Sequence, residues 1–125
     1  MNAKTYLQQI RKVDELIDCK QKELESLCQI RLVSSSEKIH EKIEFLQDSI
    51  DNHVDQLIDL RTEVMQKIEQ LDAPYVALLY KRYFEFKTWE EIADEMNYSQ
   101  QWVWLTHGEA LKRLERILDA PDDRI

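Results

Sequence analysis

Two stripes of apolar residues run along the first part of the chain, and in each the spacing alternates between three and four residues. The first stripe, with Lys20 in the same phase, comprises Tyr6, Ile10, Val13, Ile17, Leu24 and Leu27. The second comprises Ile39, Ile43, Leu46, Ile50, His53, Leu57, Leu60, Val64 and Leu71. This spacing is the heptad pattern of helices that pack along a coiled-coil seam. The pattern therefore predicts two long amphipathic helices.

The segment between the stripes predicts how these helices pack. It contains the serine cluster of residues 33–37, in which Ser36 is a candidate N-cap because its hydroxyl can accept from free amides of the first helical turn. A short connection between two long amphipathic helices favours antiparallel packing. We therefore expect residues 1–72 to form a helical hairpin. Because two helices leave apolar surface uncovered, we expect the hairpin to bind a second copy of the chain or another protein.

After residue 72 the pattern predicts a separate domain of shorter helices, over residues 73–125. Asp72 is a candidate N-cap, and Pro74 is tolerated in the first helical turn because the amide it lacks has no helical partner there. This helix is expected to end between Phe84 and Phe86. The acidic tail around Pro121 is expected to end the structure.

Residues 88–118 have the pattern of a helix-turn-helix. Thr88 and Glu91 have the spacing of a capping box, which starts a short helix. Asn97 follows that helix, and asparagine tolerates the left-handed backbone conformation that a sharp turn needs. Ser99 is then a candidate N-cap of a longer helix.

The longer helix is expected to have a buried and an exposed face. The buried face comprises Val103, His107, Ala110, Leu111, Leu114 and Leu118. At about 100° per residue, the outward positions are Gln100, Gln101, Trp104, Leu105 and Gly108. Trp102 and Trp104 lie about 200° apart, so we expect Trp104 to be exposed, in contact with DNA or with protein. Trp89 is expected to be a core residue that packs against Tyr83 or Phe86.

Composition and charge limit the classes of function. One Gly and two Pro among 125 residues favour an all-α protein, because strand-and-turn folds need more of both. The net charge is −8, with −5 in residues 1–72 and −3 in residues 73–125, so no long-range field attracts the chain to phosphate. No apolar run approaches the ~18 residues of a membrane span, and the N-terminus lacks the apolar core of a signal peptide. We expect a cytoplasmic protein with no membrane partner.

No residue pattern predicts an active site. A single glycine excludes a phosphate-cradling loop, and no Ser/His/Asp order or pair of acids is found. The three histidines, His40, His53 and His107, share no metal-ligand spacing with cysteines or acids. We expect no enzymatic activity, no cofactor and no metal site, and we expect His107 to be a packing residue.

The helix-turn-helix predicts double-stranded DNA as a partner, because the N-terminal part of its second helix enters the major groove. Glutamine can bond adenine bidentately, and free amides at a helix start can hold a phosphate. We expect DNA contacts from Thr88, Ser99, Gln100, Gln101, Trp104, Lys81, Arg82, Lys87 and Lys112. With Arg113 and Arg116 included, six cations at most are available for phosphate, which is a modest number.

The stretch TWEEIADEMNYSQQWVWLTHGEALKRL, residues 88–114, resembles region 4 of bacterial sigma factors. Together with MNAKTYLQQIRKVDELI, DLRTEVMQKIEQL and YKRYFEFKTWEEIADEMNYS, it resembles more closely the ArpU-like late transcription regulators of phages of low-GC Gram-positive bacteria. The resemblance implies a phage or prophage origin and control of late or packaging genes. The sigma-like pattern usually places Lys or Arg after the anchoring Val103, whereas residues 104–109 of this chain are WLTHGE.

Three interpretations stay open. In the first, residues 73–125 bind DNA and the helical hairpin forms a homo-oligomer or contacts RNA polymerase. In the second, favoured by the acidic charge, a sigma-like module docks on RNA polymerase or another regulator without binding DNA by itself. In the third, the chain is a structural coiled-coil adaptor whose C-terminal helices only pack.

Overall fold

The computed structural model describes residues 2–120, and all regular secondary structure in that range is helical, which confirms the predicted all-α class. The helices are α1 (Ala3–Val33), α2 (Glu37–Ile68), α3 (Ala73–Tyr83), α4 (Trp89–Met96) and α5 (Gln100–Asp119). None of them combines the length and the apolar content that a membrane crossing requires. The tail around Pro121, predicted to end the structure, lies outside the described residues.

The chain divides into two compact units. The first contains residues 2–11 and 61–120 of the described range, and the second contains residues 12–60. The second unit has its own core, in which Val13 and Ile17 of α1 pack with Ile50 of α2. Partly buried side chains extend this cluster, namely Leu24, Leu46, Val54, Leu57 and Leu60. All but Val54 belong to the two apolar stripes seen in the sequence.

Two helices start where the sequence predicts, α2 directly after Ser36 and α3 directly after Asp72. α2 begins directly after Ser36, whose carbonyl accepts a 3.2 Å bond from the amide of Ile39. Asp72 is the N-cap of α3 with an extended backbone, and Pro74 lies in the first turn as expected. The Asp72 carbonyl accepts the amide of Tyr75 at 3.0 Å, while its carboxylate makes no capping bond. Backbone geometry and the proline therefore start α3 without a side-chain cap.

The three short helices contact one another inside the first unit. Leu78 of α3, Ile92 and Ala93 of α4 and Val103 of α5 form a buried cluster, with Trp89, Met96 and Trp102 at its edge. Full burial of a leucine, isoleucine or valine side chain contributes about 1.5–3 kcal/mol. This cluster holds α4 and α5 against α3 and thereby positions the exposed face of α5.

The ends of the two long helices belong to the same unit as the short helices. The hydroxyl of Tyr6 on α1 donates to Oε2 of Glu63 on α2 at 3.2 Å. Burial, and then the charge of Glu63, raise the pKa of Tyr6 to about 12. The amide of Ala3 donates to Oε1 of Glu115 on α5 at 3.2 Å. The start of α1 thus lies beside α5, although 112 positions separate Ala3 from Glu115.

Candidate nucleic-acid interface

The short helix α4 starts with a complete capping box, as its sequence predicts. Oγ1 of Thr88 accepts from the amide of Glu91 at 3.2 Å, and Oε1 of Glu91 accepts from the amide of Thr88 at 3.1 Å. The bond from the Thr88 amide is the largest cause that lowers the pKa of Glu91. The Thr88 hydroxyl, a predicted DNA contact, is therefore engaged in holding the start of α4.

The turn between α4 and α5 has the predicted left-handed residue. Asn97 has φ 59° and ψ 41°, and the next amide, that of Tyr98, donates to the carbonyl of Ala93 at 3.1 Å. Oγ of Ser99 then accepts the amide of Trp102 at 3.0 Å, which makes Ser99 the N-cap of α5. The turn is short because only Tyr98 separates the left-handed Asn97, which ends α4, from Ser99, the N-cap of α5.

α5 has the two faces that its periodicity predicts. Its buried residues are Val103, His107, Ala110 and Leu114, and Leu111 and Leu118 are partly buried. On the opposite side Gln100 and Gln101 are exposed, as are 61% of Trp104 and 58% of Leu105. Trp102 is half-buried, and its ring stacks on that of Tyr98 with 3.7 Å between centroids. The prediction that Trp104 is the exposed tryptophan is confirmed.

His107 is a packing residue with a polar partner. Its Nε2 lies 2.6 Å from the hydroxyl of Tyr83, and its ring meets that of Trp89 edge to face at 4.5 Å. Burial, followed by the charges of Arg82 and Lys4, lowers the pKa of His107 to about 4. Burial also raises the pKa of Tyr83 to about 12. Both side chains are therefore neutral near pH 7.

Trp89 is half-buried, and two partners of its ring were not predicted from the sequence. The ring packs edge to face against His107 and lies under the guanidinium of Arg82, 4.2 Å from the ring centroid, and Tyr83, one of the two predicted partners, stacks on the same histidine. The helical periodicity of residues 89–96 predicts that Trp89 points inward, but it does not predict which cation covers the face of its ring. Arg82, a predicted phosphate contact, is held in place by this stacking and by a 2.9 Å bond from its Nη1 to the carbonyl of Lys87.

The other predicted cations differ in how strongly they are engaged. Lys81 and Lys87 both bind Oε1 of Glu95 on α4, at 2.8 and 2.6 Å. The bonds from Lys81 and Lys87 lower the pKa of Glu95, and the same carboxylate raises the pKa of Lys87. Lys112 is exposed and makes no ion pair within residues 2–120. Of these cations, Lys112 has its charge free for a partner.

A groove of about 710 Å³ adjoins the exposed face of α5. Besides Trp104, Leu105, Gly108 and Lys112 of α5, its walls include Arg82, Trp89 and two residues of α1, Lys4 and Gln8. Sequence reasoning did not find Lys4 or Gln8 because both lie outside the helix-turn-helix segment. No signal in the local pattern places them beside α5.

Among residues 2–120, no group of His, Cys, Asp or Glu side chains is placed to hold a metal ion. Comparisons with protein-family models, with curated proteins and with solved structures give no match to this chain. The sigma-like and ArpU-like resemblance therefore stays a prediction from the sequence.

Proposed function

We propose that this chain is a DNA-binding transcription regulator in which α4, the turn at Asn97 and α5 act as a helix-turn-helix of the sigma region 4 type. The observation that carries the proposal is the exposed face at the start of α5, with Gln100, Gln101 and Trp104 pointing away from the buried core. This start of α5 enters the major groove. There a glutamine amide can bond adenine bidentately, and each good bidentate contact discriminates by about 1–3 kcal/mol.

The backbone at the start of α5 supports the same function. The first helical bond of α5 runs from the amide of Val103 to the carbonyl of Ser99 at 3.1 Å. The amides of Gln100 and Gln101 precede it and have no helical acceptor, so they are available to a phosphate oxygen. Side-chain contacts to bases and backbone contacts to phosphate thus come from one turn of helix.

The antiparallel helical hairpin and its role in assembly are part of the proposal. Three apolar side chains of the unit formed by residues 12–60 are exposed: Val33 by 88%, Phe45 by 72% and Ile58 by more than half. A second copy of the chain that covers these side chains gives a homo-oligomer through the N-terminal helices. Sedimentation equilibrium of wild type and Phe45→Ser tests this: a dimer that persists unchanged in the variant rules out Phe45 as an interface residue.

The phage origin and the control of late or packaging genes rest on the sequence resemblance alone. Phage structural or packaging genes next to the coding sequence support this assignment. Neighbours that are all housekeeping genes argue against it.

A second candidate function is a module that docks on RNA polymerase without holding DNA by itself. Two observations favour it. Trp104 and Leu105 form an exposed apolar pair where basic residues usually lie in sigma-like helices, and Lys81 and Lys87 both form ion pairs with the carboxylate of Glu95. An apolar exposed pair of this kind is typical of the centre of a protein interface.

DNA affinity measured over a salt series distinguishes the two functions. The full chain is titrated with duplex DNA from upstream of its own gene, with and without bacterial RNA polymerase. A direct binder gives a log affinity that falls linearly with log salt, with a slope of about −0.9 for each phosphate contact. Binding that occurs only in the presence of polymerase supports the docking module and contradicts autonomous DNA binding.

A further inference from the structure

The groove beside α5 brings together residues from helices that are far apart in the sequence. Lys4 and Gln8 come from α1, Arg82 from α3, and Trp104, Gly108 and Lys112 from α5. All of these residues lie in the first compact unit. The groove therefore continues the exposed face of α5 toward a cation that lies outside the helix-turn-helix.

No contact within the described residues explains why position 108 is a glycine. It is the only glycine among 125 residues, and it lies in the middle of α5, where glycine weakens a helix relative to alanine. A Cβ built at Gly108 would meet no atom of the described residues within 4 Å, and the φ of Gly108 is not positive. Neither the packing around position 108 nor its backbone conformation therefore requires a residue without a side chain. Close approach of a ligand to the helix backbone is the remaining structural use of a glycine here.

The groove is positively charged although the chain is acidic. Lys4 and Lys112 are exposed and make no ion pair within residues 2–120. Among residues 2–120, the one carboxylate on the wall is that of Glu109, which binds Nε of Arg113 at 3.3 Å. The charges of Arg82 and Lys4 also contribute to the lowered pKa of His107, which lines the groove. The wall thus carries three positive charges, those of Lys4, Arg82 and Lys112, against the one negative charge of Glu109, and this balance favours an anion in the groove.

We propose that this groove takes the sugar-phosphate backbone of the DNA strand next to α5, with Lys4 and Lys112 contacting phosphates and Gly108 allowing the strand to approach. This inference rests on the proposed DNA-binding function and adds a contact from α1 to it. The chemistry recognised is a phosphodiester anion. We commit to duplex DNA as its source, since the groove is continuous with the face that carries Trp104.

The test compares full-length wild type with Lys4→Gln, Gly108→Ala and a matched control, Lys42→Gln. Lys42 is an exposed lysine on α2, so its loss changes the net charge equally without touching the groove. Binding to a mixed-sequence duplex is measured over a salt series. Lys4→Gln is expected to make the log–log salt slope shallower by about 0.9, while Lys42→Gln leaves the slope unchanged.

Gly108→Ala separates binding from folding. Its melting temperature is expected to equal or exceed that of wild type, because the added methyl group meets open space and alanine favours the helix. Its DNA affinity is expected to fall at every salt concentration, because the methyl group keeps the strand away from the helix. A variant that is stable and binds like wild type overturns the close approach at Gly108.

The remaining outcomes distinguish failure of this inference from failure of the proposed function. If wild type binds no DNA, the function itself fails and the groove assignment fails with it. If wild type binds DNA but the Lys4 variant has the slope of the Lys42 control, the groove assignment alone is overturned. A mononucleotide that competes as well as the duplex at equal phosphate concentration overturns DNA as the source of the phosphate.

Discussion

The hydroxyl of Tyr83 on α3 and Nε2 of His107 on α5 lie 2.6 Å apart, and both residues are buried. This bond joins the helix before the turn motif to the middle of α5. Within residues 2–120, every buried side-chain nitrogen or oxygen has a hydrogen-bond partner. The Tyr83–His107 pair therefore fixes α5 without leaving a polar group unsatisfied in the core.

Removing the Tyr83 hydroxyl is expected to destabilise the protein. In Tyr83→Phe the ring remains, but Nε2 of His107 loses its partner inside the core, which costs about 1–3 kcal/mol of unfolding free energy. Chemical denaturation followed by circular dichroism measures this loss. Tyr98→Phe is the control, because Tyr98 is exposed and its ring stacking on Trp102 survives the change. An equal effect of the two substitutions would show that the buried bond adds nothing.

The stability of the fold is expected to fall in mild acid because of His107. Folding lowers its pKa from 6.5 to about 4, so the unfolded chain binds more protons than the folded chain between these pH values. The contribution of neutral His107 to the unfolding free energy is complete above about pH 6.5. It is lost as the pH falls toward 4, by at most about 1.4 kcal/mol per pH unit. The ring of His107 contacts the hydroxyl of Tyr83, whose pKa burial raises to about 12, and the ring of Trp89, which has no titratable group; the positive charges of Arg82 and Lys4 add to the lowering of its pKa.

The measurement is the unfolding free energy of wild type and of His107→Gln as a function of pH. Glutamine keeps a polar amide near Tyr83 but does not titrate. The variant is expected to lose less stability than wild type between about pH 6.5 and 4, since the carboxylates contribute equally to both proteins. Parallel curves for the two proteins would remove His107 as the cause.

Glu95 is expected to weaken DNA binding in the wild-type protein. Its carboxylate binds Lys81 at 2.8 Å and Lys87 at 2.6 Å, so both ammonium groups are engaged and one of their two positive charges is offset. Glu95→Gln is expected to raise DNA affinity and to steepen the salt slope by as much as about 1.8, which corresponds to two added phosphate contacts. Stability should change little, because exposed ion pairs contribute little to folding.

The control for that variant is Glu90→Gln. Glu90 lies on the same helix, is exposed and makes no ion pair within the described residues, so the charge change is the same without the release of two lysines. If the two variants raise affinity equally, the gain comes from net charge and Lys81 and Lys87 are not phosphate contacts.

Local patterns predicted the features of this molecule that depend on a few neighbouring residues. The caps at Thr88 and Ser99, the left-handed Asn97 and the exposed Trp104 all follow from spacing and residue type, and the structure has each of them. These features are predictable because a cap or a turn is stabilised mainly by bonds within one helical turn.

Long-range geometry was not predictable from the pattern. The sequence gives no sign that the start of α1 lies beside α5, as the bond from Ala3 to Glu115 requires, or that Lys4 faces the groove. It also gives no sign that Lys81 and Lys87 share one carboxylate. Phe86 has φ 59°, an uncommon conformation for a bulky residue, and its ring lies 5.4 Å below the guanidinium carbon of Arg11. These contacts depend on how the helices pack against one another, and a local sequence pattern does not predict that packing.

The turn between α4 and α5 is expected to tolerate glycine but not a β-branched residue. Asn97 has φ 59°, a conformation that glycine adopts freely and that costs other residues about 1–2 kcal/mol. Asn97→Gly should keep the melting temperature close to that of wild type, whereas Asn97→Val should lower the unfolding free energy by about that amount or more. Equal stability of the Val and Gly variants would mean that the turn can form without a left-handed residue.

The effect of Gln101→Ala on sequence preference tests directly whether this face of α5 recognises DNA. A preferred site is first selected for the wild-type protein from a randomised duplex library, and both proteins are then titrated with that site and with a scrambled duplex. If Gln101 contacts a base, the variant loses about tenfold or more in affinity for the preferred site. Its affinity for the scrambled duplex and its melting temperature should stay the same, because Gln101 is exposed. A variant that keeps the full preference of wild type, alone and combined with Trp104→Ala, would contradict recognition of DNA by this face of α5.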